Sequence, residues 1–325
     1  MRALVWDGAQ ARVVHDAPQP ELLEGTALVR VRLAGICSTD LQILAGYMGF
    51  HGTLGHEFVG EVVAGPDELR GQRVVGEINF ACRRCATCAS GRTRHCPART
   101  VLGILGADGA FAELMRLPVV NLHRVPDRLS DHQAVFVEPL AAAYQGAEQT
   151  SSLRGARSAV IGAGKLGLLI AQVLASRGDR VTLVCRDEGA RERLVARFAT
   201  VMQRLDVDAA TAHGVGRAFD LVVEASGDPA GLALAVELVR PEGAILLKST
   251  IAGQHTLDLA PLVINEIRVL GSRCGSFPPA IQALVEESIS VSPLIDAELP
   301  LSAGIEAICR AGAPGALKVL LDPQR

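Results

Sequence analysis

Four cysteines stand close together in the stretch FACRRCATCASGRTRHCP, at residues 80–97. They are Cys82, Cys85, Cys88 and Cys96, at the spacing C-x2-C-x2-C-x7-C. Thiols this close can run a reaction, hold a fold together or form a zinc ribbon that reads nucleic acid. The spacing alone leaves these three functions open.

The composition narrows these alternatives. The formal net charge is −3 and aromatic residues make up 3% of the 325 residues, whereas nucleic-acid binding depends on a basic surface that neutralises phosphates. Eight cysteines without a Lys/Arg-led signal peptide argue against a secreted disulfide framework. We therefore expect a soluble cytoplasmic protein with neither a nucleic-acid nor a membrane partner.

A second group of possible metal ligands is scattered along the chain. Cys37 lies in AGICSTD, His56 and Glu57 lie in LGHEFVGEVV, and Glu138 lies in VEPLAAA. A thiolate, an imidazole and a carboxylate can form a zinc shell with one position left open. A carboxylate in an apolar run, such as Glu138, is costly to bury unless it is paired or bound to a metal. Spacing cannot join these residues, because they are far apart in the sequence.

A glycine-rich loop follows an apolar strand in VIGAGKLG, where Gly162, Gly164 and Gly167 form the pattern G-x-G-x-x-G. The first glycine allows a tight turn, the second lets the backbone approach a pyrophosphate, and the third allows close packing of helix on strand. Lys165 and Leu166 complete the loop, where the helix N-terminus faces the phosphates. The loop predicts dinucleotide binding; the alternative is a turn that only packs a helix.

The next strand ends without the acidic residue that usually grips the ribose hydroxyls of NAD. RVTLVCRDEGAR places Cys185 or Arg186 at the strand tip, unless Asp187 is used. Arg186, together with Arg191, can pair with the 2′-phosphate of NADP. We therefore favour NADP over NAD. The alternative for Arg186 is stacking on the adenine or exposure to solvent.

Two regions of the chain with different secondary-structure patterns must position these residues. The first half contains short β-rich runs between turn residues, such as ALVRVRLAGIC and FVGEVVAG, which predict an antiparallel, barrel-like domain. After the helical run VEPLAAAYQGAEQ, strands such as RVTLVC alternate with helical runs such as KLGLLIAQVLASRG and EGARERLVARFATVM. This alternation predicts an α/β fold with a parallel sheet. The closing strand in ALKVLLDP is expected to return to the first domain.

The sequence resembles the zinc-containing medium-chain dehydrogenase/reductase superfamily, to which the alcohol dehydrogenases belong. GICSTD, GHEFVGEVV, the four-cysteine stretch, VEPLAAA, VIGAGKLG, VVEASG and ALKVLLD carry the resemblance, in the family's order and over nearly the whole chain. Glutamate in EPL is similar to the polyol, threonine and sugar dehydrogenase branch. The resemblance implies a GroES-like β-rich catalytic domain over 1–139 and 276–325, and a Rossmann doubly wound cofactor domain over 140–275.

The resemblance also implies roles for the scattered ligands. It assigns Cys37 and His56 to a catalytic zinc ion. Glu138 stands where this branch has a carboxylate that binds the metal directly or through water, and Glu57 can enter or leave the metal shell. The four close cysteines resemble the family's structural zinc site, whose closed tetrahedral shell does no chemistry.

Thr39 and Asp40 follow Cys37 after one intervening residue, Ser38. By the same resemblance, Thr39 matches the hydroxyl of a proton relay, and Asp40 matches the acid that orients the zinc-bound histidine. The alternative for both residues is turn chemistry after a strand.

The resemblance implies an oxidoreductase that interconverts an alcohol and a carbonyl by hydride transfer to or from NAD(P). A polyol, sugar, cyclitol or amino alcohol is the expected substrate, with two zinc ions per chain and a homodimer or homotetramer as the assembly. The alternatives are a biosynthetic aldehyde or ketone reductase and a zinc-stabilised dinucleotide sensor without turnover. Lys248 and Arg273 follow predicted strands and can face the substrate or carry ordinary loop charge.

Overall fold

The computed structural model describes residues 1–185, 202–206, 217–250 and 256–325, with the backbone alone for 202–206. Arg186 and most of the predicted helix EGARERLVARFATVM, which contains Arg191, lie outside the described residues. The remaining chain supplies both of the units described below.

The chain divides into two compact units. The first unit holds Met1–Glu138, Phe277–Glu286 and Leu294–Arg325, and the second holds Pro139–Ser276 and Glu287–Pro293. The domain boundaries expected from the sequence gave the whole of 276–325 to the first domain, whereas Glu287–Pro293 packs with the second unit.

Short β-strands form the framework of the first unit. They are β1 (Ala3–Trp6), β2 (Ala11–Val14), β3 (Thr26–Gly35), β4 (Gly52–Thr53), β5 (Glu57–Ala64), β6 (Arg73–Gly76), β7 (Asn79–Phe80), β8 (Thr100–Leu102), β9 (Gly106–Ala107), β10 (Leu114–Pro118), β11 (Leu122–Arg124), β18 (Ile295–Pro300) and β19 (Lys318–Asp322). The main sheet runs β11-β6-β5-β3-β19-β18, with β10 also paired to β3, and two smaller sheets run β2-β1-β4 and β7-β8-β9. In the main sheet only the β18–β19 pair is parallel among the described strands.

The sequence of β3 explains its place at the centre of this sheet. Ala27, Val29 and Val31 are buried while Arg30 and Arg32 are exposed, so side chains alternate between core and solvent. The alternation stops over the last three residues of the strand, which are all buried. The closing strand β19 pairs with this buried end. It lies in the first unit, as expected from the sequence, although its partner strand was not predicted.

The second unit contains a parallel sheet. Its strands are β12 (Arg157–Ile161), β13 (Arg180–Cys185), β14 (Met202–Asp206), β15 (Phe219–Glu224), β16 (Val239–Leu247) and β17 (Arg268–Gly271). They are ordered β14-β13-β12-β15-β16-β17, and every pair is parallel. Counted along the chain this order is 3-2-1-4-5-6, the order of the dinucleotide-binding Rossmann fold. The predicted α/β class with a Rossmann sheet is therefore confirmed.

Helices connect and cover these sheets. Those in the described residues are α1 (Ser38–Leu44), α2 (Ala86–Ala89), α3 (Asp131–Ala134), α4 (Val137–Gln149), α5 (Lys165–Ser176), α6 (Gly231–Leu238), α7 (Ala260–Ile264), α8 (Phe277–Val285) and α9 (Gly304–Ala311). Within the described part of the chain, no helix combines the length and apolarity that a membrane crossing requires. α1 and α5 matter most for function, because each begins directly after a candidate site.

Candidate metal centres and cofactor loop

Cys37 lies at the junction between β3 and α1, where it occupies the N-cap position of the helix with extended backbone. Its backbone N–H donates to Oδ2 of Asp40 at 2.8 Å. The hydroxyl oxygen of Thr39, in the first helical turn, lies 3.7 Å from Sγ of Cys37. The buried end of β3 and the first turn of α1 therefore gather a thiol, a hydroxyl and a carboxylate.

His56 joins this group from the segment between β4 and β5, where it is 3% exposed. Its Nδ1 lies 3.2 Å from Oδ1 of Asp40, although the contact does not meet the geometry of a hydrogen bond. Burial is the strongest influence and lowers the pKa of His56, but the negative charges of Asp40 and Cys37 together raise it well above its usual range. Because Asp40 faces Nδ1, Nε2 is the nitrogen left for another partner.

Glu57 is the first residue of β5, and it forms a buried ion pair with Lys318, the first residue of β19. Oε2 of Glu57 accepts a hydrogen bond from Nζ of Lys318, and both side chains are 1% exposed. The ammonium group also lies 5.7 Å from the centre of the Phe136 ring. The sequence analysis did not predict a role for Lys318. The signal that could have revealed it is the position of a lysine within the apolar run ALKVLLD.

The donor atoms of Cys37, His56 and Glu57 all lie within 4.8 Å of one another. A thiol, an imidazole and a carboxylate are the donor types that hold zinc in catalytic sites. These three residues therefore fit the metal that the resemblance implies. Glu138, the second residue of α4, is half-buried and does not belong to this cluster.

The four close cysteines form a second cluster, here called the cysteine lobe (residues 80–97). Their sulfurs all lie within 4.8 Å of one another. The Sγ–Sγ distances are 3.5 Å from Cys85 to Cys88, 3.5 Å from Cys82 to Cys96 and 3.9 Å from Cys85 to Cys96. A tetrahedral shell with zinc–sulfur bonds of about 2.3 Å requires sulfurs about 3.8 Å apart. The cysteine lobe therefore fits a tetrahedral zinc ion.

Hydrogen bonding and burial shift the pKa values of these thiols in opposite directions. Hydrogen bonds from the backbone N–H groups of Arg84 and Cys85 lower the pKa of Cys82 to about 6. Burial raises the pKa of Cys88 to about 12. The first deprotonated sulfurs discourage the loss of further protons from their neighbours. A divalent cation among them removes this obstacle and stabilises four thiolates together.

The glycine loop joins β12 to α5. Gly162 has a φ of +103°, and a Cβ there would lie 2.7 Å from the carbonyl oxygen of Ala225. A Cβ on Gly167 would collide with the carbonyl oxygen of Gly162, whereas a Cβ on Gly164 would meet nothing within 4 Å. The structure thus leaves open space beside Gly164, where a ligand can approach the backbone.

Lys165 and Leu166 are the first two residues of α5. Lys165 is buried and Leu166 is half-buried. Their position at the helix N-terminus directs backbone N–H groups towards the loop, as phosphate binding requires.

The tip of β13 is Cys185, which is 4% exposed. Arg186 and Arg191, the predicted partners of a 2′-phosphate, follow it outside the described residues, as does Asp187. No acidic side chain therefore lies on β13 itself.

The ammonium group of Lys248 donates hydrogen bonds to other residues of the second unit. Nζ donates to the carbonyl oxygens of Ala142 at 2.9 Å and Arg273 at 3.2 Å, and to Oγ of Ser272 at 3.2 Å. The guanidinium group of Arg273 lies 3.8 Å from Sγ of Cys274. Lys248 thus fastens a loop to α4, a role that its position after a strand did not reveal.

Comparison with known proteins agrees with this geometry. Residues 23–127 match the family model described as alcohol dehydrogenase GroES-like domain, and residues 166–290 match zinc-binding dehydrogenase. The L-threonine 3-dehydrogenase of Streptomyces avermitilis is 32% identical over 99% of both chains. The chain belongs to the zinc-containing medium-chain dehydrogenase/reductase superfamily. The present chain is also similar to the sorbitol dehydrogenase of Halalkalibacterium halodurans, at 29% identity over 99% of both chains.

Solved structures agree as well. A zinc-binding dehydrogenase family protein from Sinorhizobium meliloti, solved with NADP bound, superposes with a TM-score of 0.89 at 27% identity over 99% of both chains. The GroES-like identity of the first unit and the Rossmann identity of the second are thereby confirmed. The protein is an oxidoreductase of the alcohol dehydrogenase type, which interconverts an alcohol and a carbonyl with a nicotinamide cofactor.

Proposed function

We propose that this dehydrogenase interconverts a polyol, sugar, cyclitol or amino alcohol and its carbonyl at a zinc site in its first unit. The observation that carries the proposal is the convergence of Cys37, His56 and Glu57, whose donor atoms lie within 4.8 Å of one another. The names of the two curated relatives, a threonine dehydrogenase and a sorbitol dehydrogenase, support a substrate with several polar groups.

Each residue at this site has its own proposed role. Cys37 and His56 hold the catalytic zinc ion, with Glu138 or Glu57 as the carboxylate that completes or approaches its shell. A zinc ion held there supplies Lewis acidity towards an alcohol or carbonyl oxygen. The hydroxyl of Thr39 carries the alcohol proton away, and Asp40 fixes the ring of His56 so that Nε2 faces the metal.

The cysteine lobe holds a second zinc ion, so that the protein carries two zinc ions per chain. Four thiolates complete a tetrahedral shell, and this leaves no position for a substrate. The lobe therefore stabilises the first unit without taking part in the reaction.

The glycine loop of the second unit binds the pyrophosphate of the cofactor, through Gly162, Gly164, Gly167 and the N-terminus of α5. NADP is the proposed cofactor, with NAD as the alternative. The support for NADP is the strand tip at Cys185, which carries no carboxylate to repel a 2′-phosphate. We further propose a homodimer or homotetramer, located in the cytoplasm.

The decisive experiment measures cofactor reduction by the purified, zinc-loaded protein. The panel contains sorbitol, galactitol, myo-inositol, L-threonine and simple primary alcohols, each with NADP and with NAD. We expect turnover with at least one polyol or amino alcohol, and its loss in His56→Ala while cofactor binding persists. Turnover of simple alcohols alone would overturn the substrate class. Turnover only in the direction of carbonyl reduction would favour a reductase, and tight cofactor binding without any turnover would favour a sensor.

A further inference from the structure

The chemistry described above uses Glu57 but gives no role to Lys318, with which Glu57 forms a buried ion pair. Each side chain is 1% exposed, and the bond joins an ammonium group to one carboxylate oxygen, Oε2. Burying two charges is unfavourable unless both are well paired, so such a pair needs a reason beyond stability. Its carboxylate belongs to the cluster that fits the catalytic metal.

The two residues meet across a strand that separates them. In the main sheet β5 and β19 both pair with β3, on opposite sides. Gly35 at the end of β3 is the partner of Glu57 on one side and of Leu320 on the other. A Cβ on Gly35 would lie 2.5 Å from Oε2 of Glu57 and 3.3 Å from Cδ of Lys318. The absence of a side chain at Gly35 therefore creates the space in which the pair forms.

The ammonium group is also held on its other side. It lies 5.7 Å from the centre of the Phe136 ring, within the range of a cation–π contact. Lys318 is thus fixed between the face of an aromatic ring and a carboxylate. A fixed cation at this position attracts the carboxylate of Glu57 away from any other cation within its reach.

We infer that Lys318 is a positioning residue that holds the carboxylate of Glu57 outside the shell of the catalytic metal and so keeps a coordination position free for substrate. This inference rests on the proposed catalytic site. Within that site, a metal ion and Lys318 are two cations that compete for one carboxylate. The ion pair that Glu57 and Lys318 form beside Gly35 decides the competition in favour of Lys318.

The first test replaces Lys318 with methionine, whose side chain is similar in length but carries no charge. Glu57 then becomes a buried carboxylate whose nearest available cation is the metal. We expect zinc to leave the catalytic site of Lys318→Met about tenfold more slowly than that of the wild type, in competition with a chelator. We also expect the visible d–d bands of the cobalt-substituted protein to shift and weaken, because a further oxygen ligand raises the coordination number.

The matched control is the double variant Lys318→Met/Glu57→Gln. A glutamine cannot act as a charged ligand, so the slower metal loss and the spectral change should both disappear relative to Glu57→Gln alone. A purely structural role for Lys318 would lower Tm in both backgrounds and would leave the cobalt spectrum unchanged. Persistence of the spectral change in the Glu57→Gln background would also overturn the inference.

A second variant covers the case in which Lys318→Met does not fold. Gly35→Ala keeps both charged residues but places a methyl group where they meet, so it should displace Glu57 from Lys318 and reproduce the spectral change. An unchanged cobalt spectrum in a folded Gly35→Ala or Lys318→Met protein would overturn the inference.

The wild-type protein separates this inference from the proposed function. If it binds cobalt outside the cysteine lobe but turns over no alcohol, the proposed function fails while the spectral test of Lys318 still gives an answer. If it holds metal in the cysteine lobe alone, both proposals fail.

Discussion

Nδ1 of His56 lies 3.2 Å from Oδ1 of Asp40, while Oδ2 of the same carboxylate accepts the backbone N–H of Cys37 at 2.8 Å. Asp40 is fully buried. One carboxylate thus faces the ring of one proposed metal ligand and accepts the backbone N–H of the other. Asp40 therefore contacts both of the residues that are proposed to hold the catalytic metal.

The first prediction concerns Asp40→Asn. The amide can still accept the N–H of Cys37, but its NH₂ group can donate to Nδ1 and stabilise the tautomer that carries a proton on Nε2. We expect a loss of 10- to 100-fold in zinc affinity or in kcat/KM, the range typical for residues that orient metal ligands. Chelator competition and steady-state kinetics measure the two quantities.

A matched control for this variant is Asp220→Asn, which removes a carboxylate from a partly exposed ion pair with Arg240 in the second unit. Zinc affinity should be unchanged there. Equal losses in both variants would show that Asp40 acts through general stability.

The second prediction concerns Cys96→Ser. Cys96 is fully buried, and its sulfur lies within 3.9 Å of the sulfurs of both Cys82 and Cys85. Loss of one thiolate should remove about one zinc ion per chain and lower Tm, because binding of a structural zinc ion contributes directly to folding. Elemental analysis and thermal unfolding provide the readouts. Cys309→Ser, at an exposed position, should change neither, and an unchanged zinc content in Cys96→Ser would exclude a metal in the lobe.

The third prediction compares two glycines of the same loop. Alanine at Gly167 would collide with the carbonyl oxygen of Gly162, so we expect a loss of about 1–3 kcal/mol of stability. Alanine at Gly164 meets no atom within 4 Å, so Tm should be preserved while cofactor affinity falls. Thermal unfolding and fluorescence titration with NADPH separate the two effects. Undiminished cofactor affinity in Gly164→Ala would place the pyrophosphate elsewhere.

The fourth prediction concerns the choice of cofactor. A charge-assisted contact between Arg186 and a 2′-phosphate is worth about 1.5–3 kcal/mol, which corresponds to roughly 10- to 100-fold in affinity. We expect NADPH to bind more tightly than NADH, and Arg186→Ala to narrow the difference. Titration of cofactor fluorescence gives both dissociation constants. Tighter binding of NADH by the wild type would show that Asp187 or another residue sets the preference.

The motifs predicted most of the site because they are local. Cys37, Thr39 and Asp40 are consecutive or nearly so, and the first turn of α1 brings them together whatever the rest of the chain does. The glycine loop is equally local, since one strand and the following helix define it. In both cases the residue types and the turn that they occupy are enough to predict which residues lie close together.

The pair of Glu57 and Lys318 could not be predicted in this way. The two residues are 261 positions apart, and their contact depends on the order β5-β3-β19 in the sheet and on the missing side chain at Gly35. The sequence predicted that the closing strand returns to the first domain, but not its neighbour or its register. Lys248 shows the same limit, because its acceptors lie on α4 and on the segment after β17, which only the folded second unit brings together.

The place of β19 in the main sheet has a consequence for synthesis of the protein on the ribosome. A nascent chain that already contains Cys37, His56 and Glu57 lacks the partner of Glu57 until 261 further residues have been added. The ion pair that holds this carboxylate can therefore form only once synthesis has reached Lys318.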